Sequence, residues 1–186
     1  MAQKRAKLIR SKTVFKGSVF SVRRDEIVEP DGLRATREIV THRGSVVVMP
    51  VFPNGDVLLV RQFRYAAGES LWELVAGSRE PGESPLSGAR RELLEETGYT
   101  ARRVRLLLEI IPTPGFLTET MAIFAAKGLT AGAAHPEEDE HIVARRFSQK
   151  QVLGMIRRGA VRDGKTVTGI LYYLRFVAKR GRAHEA

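Results

Sequence analysis

The chain has 186 residues, 43% of them hydrophobic, which is enough for one domain with a sizeable core. It contains no cysteine, which excludes a disulfide framework, thiolate catalysis and thiolate metal sites, and fits a reducing, cytoplasmic setting. The formal charge of +10 sits at the ends: the first 24 residues carry eight Lys or Arg and no acid, the last twelve carry four against Glu185, and the body between them is near neutral.

Basic ends of this kind read first as solvated tails, with nucleic-acid attraction through counterion release as the less favoured alternative. The opening MAQKRAKLIRSK has no apolar segment of the secretory type, and no run approaches the roughly 18 to 20 apolar residues of a membrane span. Residues 1–12 are therefore expected as a basic tail. FKGSVFSVRRDEIV and LRATREIVTH follow as strands separated by the turn signal Pro30-Asp31-Gly32. SVVVMPVF, DVLLVRQF and LWELVAG are predicted as three more strands, the first two divided by Pro53-Asn54-Gly55.

At Ser84 the period changes. Serine suits an N-cap, Pro85 the first helical position and Gly98 the residue past the end, which predicts a helix over 85–97. VRLLLEIIP, ETMAIFAAKGL and HIVARRFS then read as strands, and KQVLGMIRRG and TVTGILYYLRFVAKR as helices. Mixed strands with a few helices indicate an α/β or α+β layered fold.

The 85–97 helix concentrates negative charge. Glu92, Glu95 and Glu96 stand at i, i+3 and i+4, so their carboxylates share a side, with Leu86, Ala89 and Leu93 expected as a core-facing stripe opposite. Like charges at that spacing destabilise a helix unless something positive sits among them. Hard oxygen donors so arranged suit Mg²⁺, or alternatively Mn²⁺, with substrate phosphate completing the shell. The helix alone equally permits a solvated acidic face laced with Arg90 and Arg91.

The flanking residues decide between these readings. From Gly77 the chain runs through five residues to Glu83, seven more to Arg91, then Glu92, Leu93, one residue, Glu95, Glu96, one residue, Gly98 and Tyr99. Every specified position matches the Nudix box, so the sequence resembles a Nudix hydrolase. The resemblance implies a Nudix-type α/β/α sandwich with a mixed β-sheet and an N-terminal β-strand extension. It would divide the chain into the tail, a strand region at 13–42 that is a candidate dimerisation element, a catalytic domain at 43–180 and a C-terminal tail at 181–186. It further implies Glu92 and Glu96 as principal metal ligands, Glu95 assisting, and the carbonyl of Ala76 as a further ligand. Glu83 and Arg91 would pair to fix the loop, with Gly77 and Gly98 as structural glycines of the box.

Beyond the box, Pro114 within PTPGFLTE, RQFR at 61–64, WELVAG at 72–77 and EPDG with TREIV at 29–40 are similar to the ADP-ribose pyrophosphatase branch. That similarity implies hydrolysis of ADP-ribose, or a related nucleoside diphosphate sugar, to AMP and ribose 5-phosphate. Arg64 would contact a phosphate, because a guanidinium fork matches phosphate oxygens. Phe116 and Glu119 would line the ribose side, and Arg37 would complete the site across a homodimer interface. Glu140, with Glu138 as second choice, would orient or deprotonate the attacking water; Glu95 is a further catalytic candidate. The alternatives are a Nudix enzyme for GDP-mannose or a dinucleotide, and a regulatory, RNA-associated Nudix domain.

Overall fold

The computed structural model describes residues 5–134 and 141–178. The chain forms two compact units, one from residues 1–44 with 111–120, the other from 45–110 with 121–186.

In the first unit β1 (Lys7–Lys16), β2 (Phe20–Val28) and β3 (Arg34–His42) form an antiparallel sheet in that order. Two sequence expectations change here. Half of the expected basic tail is strand, because KLIRSK pairs with β2 from Lys7↔Val28 onward. FKGSVFSVRRDEIV is a hairpin corner instead of one strand, closed where the Gly17 N–H donates to the Phe20 carbonyl at 2.9 Å. The segment 111–120 also joins this unit. The Val40 N–H donates to the Phe116 carbonyl at 2.7 Å, and the Thr118 N–H to the Val40 carbonyl at 3.0 Å.

The second unit holds a mixed four-stranded sheet with the order β7 (Val75–Ser78), β4 (Ser45–Pro50), β9 (Met121–Ala131), β8 (Tyr99–Ile110). Only β4 and β9 run parallel. A three-stranded antiparallel sheet is ordered β10 (Val143–Phe147), β5 (Val57–Arg64), β6 (Glu69–Glu73). Alternation along β4 serves two cores: Val46 and Val48 pack with Ala89 and Leu93 of α1 (Pro85–Thr97). Val47 and Met49 pack instead with Val152 of α2 (Gln149–Arg157) and Ile170 of α3 (Gly164–Tyr172). Helices on both faces of one sheet make an α/β/α sandwich. Among the described residues no helix is long and apolar enough to cross a membrane.

LWELVAG, predicted as one strand, is two strands in different sheets. The switch falls at Leu74, whose N–H leaves the ladder and donates to Thr166 Oγ1 at 2.8 Å. Both residues are fully buried, so the hydroxyl supplies the acceptor that the lost strand partner would have been. Trp72 belongs to the core, edge-on to Phe147 with ring centroids 5.0 Å apart.

Candidate active site

Local sequence builds α1. Ser84 Oγ accepts from the Ser87 N–H at 3.2 Å, Pro85 opens the helix, and Gly98 at φ 70° closes it with its N–H on the Leu94 carbonyl. The helix packs with its acidic side inward, and this corrects the sequence picture. Gly88, Ala89, Glu92, Leu93 and Glu96 are buried, whereas Leu86 is 44% exposed. At 100° per residue Glu96 lies two turns from Ala89 on nearly the same bearing, so carboxylates and apolar residues share the packed arc instead of opposing it. Glu95 lies at the margin, its side chain 39% exposed.

The acidic side faces β7. The Ala76 N–H donates to Glu96 Oε1 at 3.4 Å, and a Cβ at residue 77 would overlap the Glu92 carboxylate. Glycine at 77 is therefore a matter of space, since only a bare backbone admits that carboxylate.

Arg91 is the hub. Its Nε and Nη2 donate to the two oxygens of Glu83 at 2.9 and 3.0 Å; its Nη1 donates to Glu92 Oε1 at 2.8 Å and Glu95 Oε2 at 2.9 Å. Nη2 also reaches the Ser78 carbonyl at 3.1 Å, tying helix to loop. The hydrogen bonds from Arg91 hold the Glu83 carboxyl below the usual carboxylate range against the opposing effect of burial, helped by the Glu80 N–H. The same pairing with Glu83 raises the Arg91 guanidinium. Gly88 makes room for this clasp: a Cβ there would stand 2.8 Å from Glu83 Oε2.

Glu92 and Glu96, with the Ala76 carbonyl, are oxygen donors only, a set that fits a hard divalent cation. The charge balance agrees, because the one guanidinium of Arg91 serves Glu83, Glu92 and Glu95 together. Among the described residues no three such side chains are already gathered around one point, and Arg91 Nη1 is bonded to both Glu92 and Glu95.

Arg64 is not presented as an open fork. Its Nε and Nη2 donate to Oε1 and Oε2 of Glu73 at 2.8 and 2.9 Å. Burial pushes the Glu73 carboxyl up, but Arg64 and Lys165 outweigh it and hold the group below its usual range. Glu73, Asp163, Lys165 and Thr166 were not singled out by sequence reasoning. The signals available were one acid inside the apolar run LWELVAG and the cap-like Asp163 before a helix.

Arg37, Phe116 and Glu119 belong to the first unit. Arg37 Nη2 donates to Glu29 at 2.7 Å, Phe116 is 54% exposed, and buried Glu119 lies 3.4 Å from His42 Nδ1. Glu138 and Glu140 lie outside the described residues.

This chain's relatives point the same way. The NUDIX domain family matches residues 41–168, and the family described as Nucleoside diphosphate sugar hydrolase N-terminal domain matches residues 7–40. The methanol dehydrogenase activator of Bacillus methanolicus and the ADP-ribose pyrophosphatase of Bacillus subtilis are each 34% identical over 168 residues, covering 89% of this chain and 91% of theirs. The GDP-mannose pyrophosphatase of Citrobacter koseri is 37% identical over 154 residues, 77% of this chain and 80% of its own. A crystal structure of ADP compounds hydrolase superposes with a TM-score of 0.87 over 98% of this chain and 99% of that one; at 21% identity the likeness concerns the fold.

Proposed function

The chain belongs to the NUDIX domain family, and on that premise we propose that it is a divalent-cation-dependent pyrophosphohydrolase of nucleoside diphosphate sugars, with ADP-ribose as its substrate. Water adds to one phosphorus of the diphosphate and the bridging P–O bond breaks, leaving AMP and ribose 5-phosphate. The observation that carries this reading is the pair of buried carboxylates, Glu92 and Glu96, pressed against the bare backbone of residues 76–77.

Glu92, Glu96 and the Ala76 carbonyl would hold the cation, Mg²⁺ or Mn²⁺, with Glu95 assisting. When bound, such an ion polarises a phosphoryl oxygen and makes water a stronger acid. Arg91 fixes the loop through Glu83 and Ser78 and keeps Glu92 and Glu95 aligned. Arg64 contributes positive charge toward a phosphate, and Glu140, or failing it Glu138, takes the proton from the attacking water.

Turnover measured across ADP-ribose, GDP-mannose, diadenosine polyphosphates and NADH, with each metal, tests the substrate. A kcat/KM for ADP-ribose well above the others is expected. Preference for GDP-mannose would favour the second reading, which the similarity to the Citrobacter koseri enzyme supports. Silence on the whole panel would sink both.

A homodimer is part of the same proposal, with Arg37 completing the partner's site. Its support is the first unit's sheet: all of β1 is exposed, including Leu8, Ile9, Val14 and Phe15 at about half their full area, more apolar surface than a lone sheet leaves in water. Light scattering should give about twice the 20.7 kDa chain mass; a monomer at micromolar concentration would remove Arg37 from the site.

A further inference from the structure

The buried carboxylate of Glu73, its side chain 2% exposed, is shared between two cations from opposite ends of the second unit's sequence. Arg64, at the end of β5, grips it with Nε and Nη2. Lys165, in the first turn of α3, donates its Nζ to Oε2, and also lies 3.0 Å from Asp163 Oδ1. Asp163 caps that helix, accepting from the Thr166 N–H at 3.0 Å and from its hydroxyl at 2.5 Å. The four side chains form an electrically balanced chain, Arg64, Glu73, Lys165, Asp163, most of it shielded from water.

We propose that Lys165 is a positioning residue for the diphosphate site, holding Glu73 so that Arg64 is clamped by two of its nitrogens and presents the third, Nη1, to a substrate phosphate. This rests on the functional reading above. The two bonds to Glu73 use Nε and Nη2 and so leave Nη1 outside the clamp, while the Arg64 side chain as a whole keeps 37% of its surface in solvent. The Glu73 bonds raise the Arg64 pKa against the opposing effect of burial, with smaller contributions from the charges of Glu96 and Asp163, so the guanidinium keeps its charge.

Without Lys165, Glu73 would meet Arg64 as its one cation, draw the guanidinium inward and cancel more of the charge it offers outward. Asp163 would at the same time lose its cation, and the three side chains left would be net negative beside a site that must accept an anion. The same first turn anchors the sheet switch through Thr166 and Leu74, so the lysine is set by rigid backbone.

The test compares Lys165→Met and Lys165→Arg in the full-length protein. KM for ADP-ribose should rise about tenfold in Lys165→Met with kcat changed much less, a size typical of partners that orient a binding group. Binding of ADP in EDTA, read by calorimetry, should weaken in step, and Lys165→Arg should restore both. Should Lys165→Met fail to fold, Lys165→Gln is read the same way. An unchanged KM and ADP affinity in a folded, active Lys165 variant overturns the proposal, whatever the melting temperature does. A native protein that neither binds ADP nor turns over any diphosphate overturns the functional reading, and the proposal with it.

Discussion

Glu96→Gln is expected to lower kcat by roughly a thousandfold, the equivalent of about 4 kcal/mol of transition-state stabilisation, in line with the several kcal/mol that a bound cation supplies. The substitution keeps the shape of the side chain and one oxygen for the Ala76 N–H, which donates to Glu96 Oε1 at 3.4 Å. What it removes is the charge of a side chain in a residue only 5% exposed. Burial sharpens the expectation. A carboxylate buried beside Glu92 and Glu95 repels them, so its neutralisation should leave the melting temperature unchanged or raised. The two readouts therefore move in opposite directions, as in a group retained for chemistry against the interest of stability. The metal concentration for half-maximal rate should rise as well. Full turnover with the same metal optimum would show that Glu96 holds no cation.

Local chemistry was legible in the sequence, and distant partners were not. The helix 85–97 follows from Ser84, Pro85 and Gly98, all within reach of their own neighbours, and the structure closes it at those residues. The spacing of Gly77, Glu83, Arg91, Glu92, Glu95 and Glu96 is contiguous, so the whole cluster can be read before any fold is known. The burial of the acidic side cannot, because three carboxylates in one helix suggest solvent until β7 is seen against them. The break in LWELVAG is set by Thr166, 92 residues beyond Leu74, and no periodicity within the strand encodes it. The same holds for Glu73, whose partners Arg64 and Lys165 lie 9 and 92 residues away. Residues 111–120 join the first unit through three backbone residues near Val40, and backbone pairing leaves little trace in composition.

Arg91→Met should cost about 2 to 3 kcal/mol of folding stability at pH 7, near the lower end for removing one partner of a buried ion pair. Arg91 is the shared cation for Glu83, Glu92 and Glu95, with side-chain exposures of 9%, 11% and 39%. Methionine keeps much of the aliphatic stem but leaves these carboxylates facing one another. Lysine at 91 should recover part of the loss, since a point charge cannot reproduce the two parallel bonds to Glu83. The pH dependence identifies the cause. The Arg91 bonds lower the Glu83 pKa in the folded state, so their stabilisation is present above the unfolded glutamate value of about 4.3 and is lost as pH falls through the folded value. In Arg91→Met that lowering disappears and mutual repulsion favours protonation, so acid relieves the variant while it weakens the native protein. Urea unfolding at pH 7 and pH 4 should therefore give a stability difference that shrinks as pH falls. A difference independent of pH would mean that Arg91 stabilises the fold by packing its stem, and that the acidic cluster does not depend on its charge.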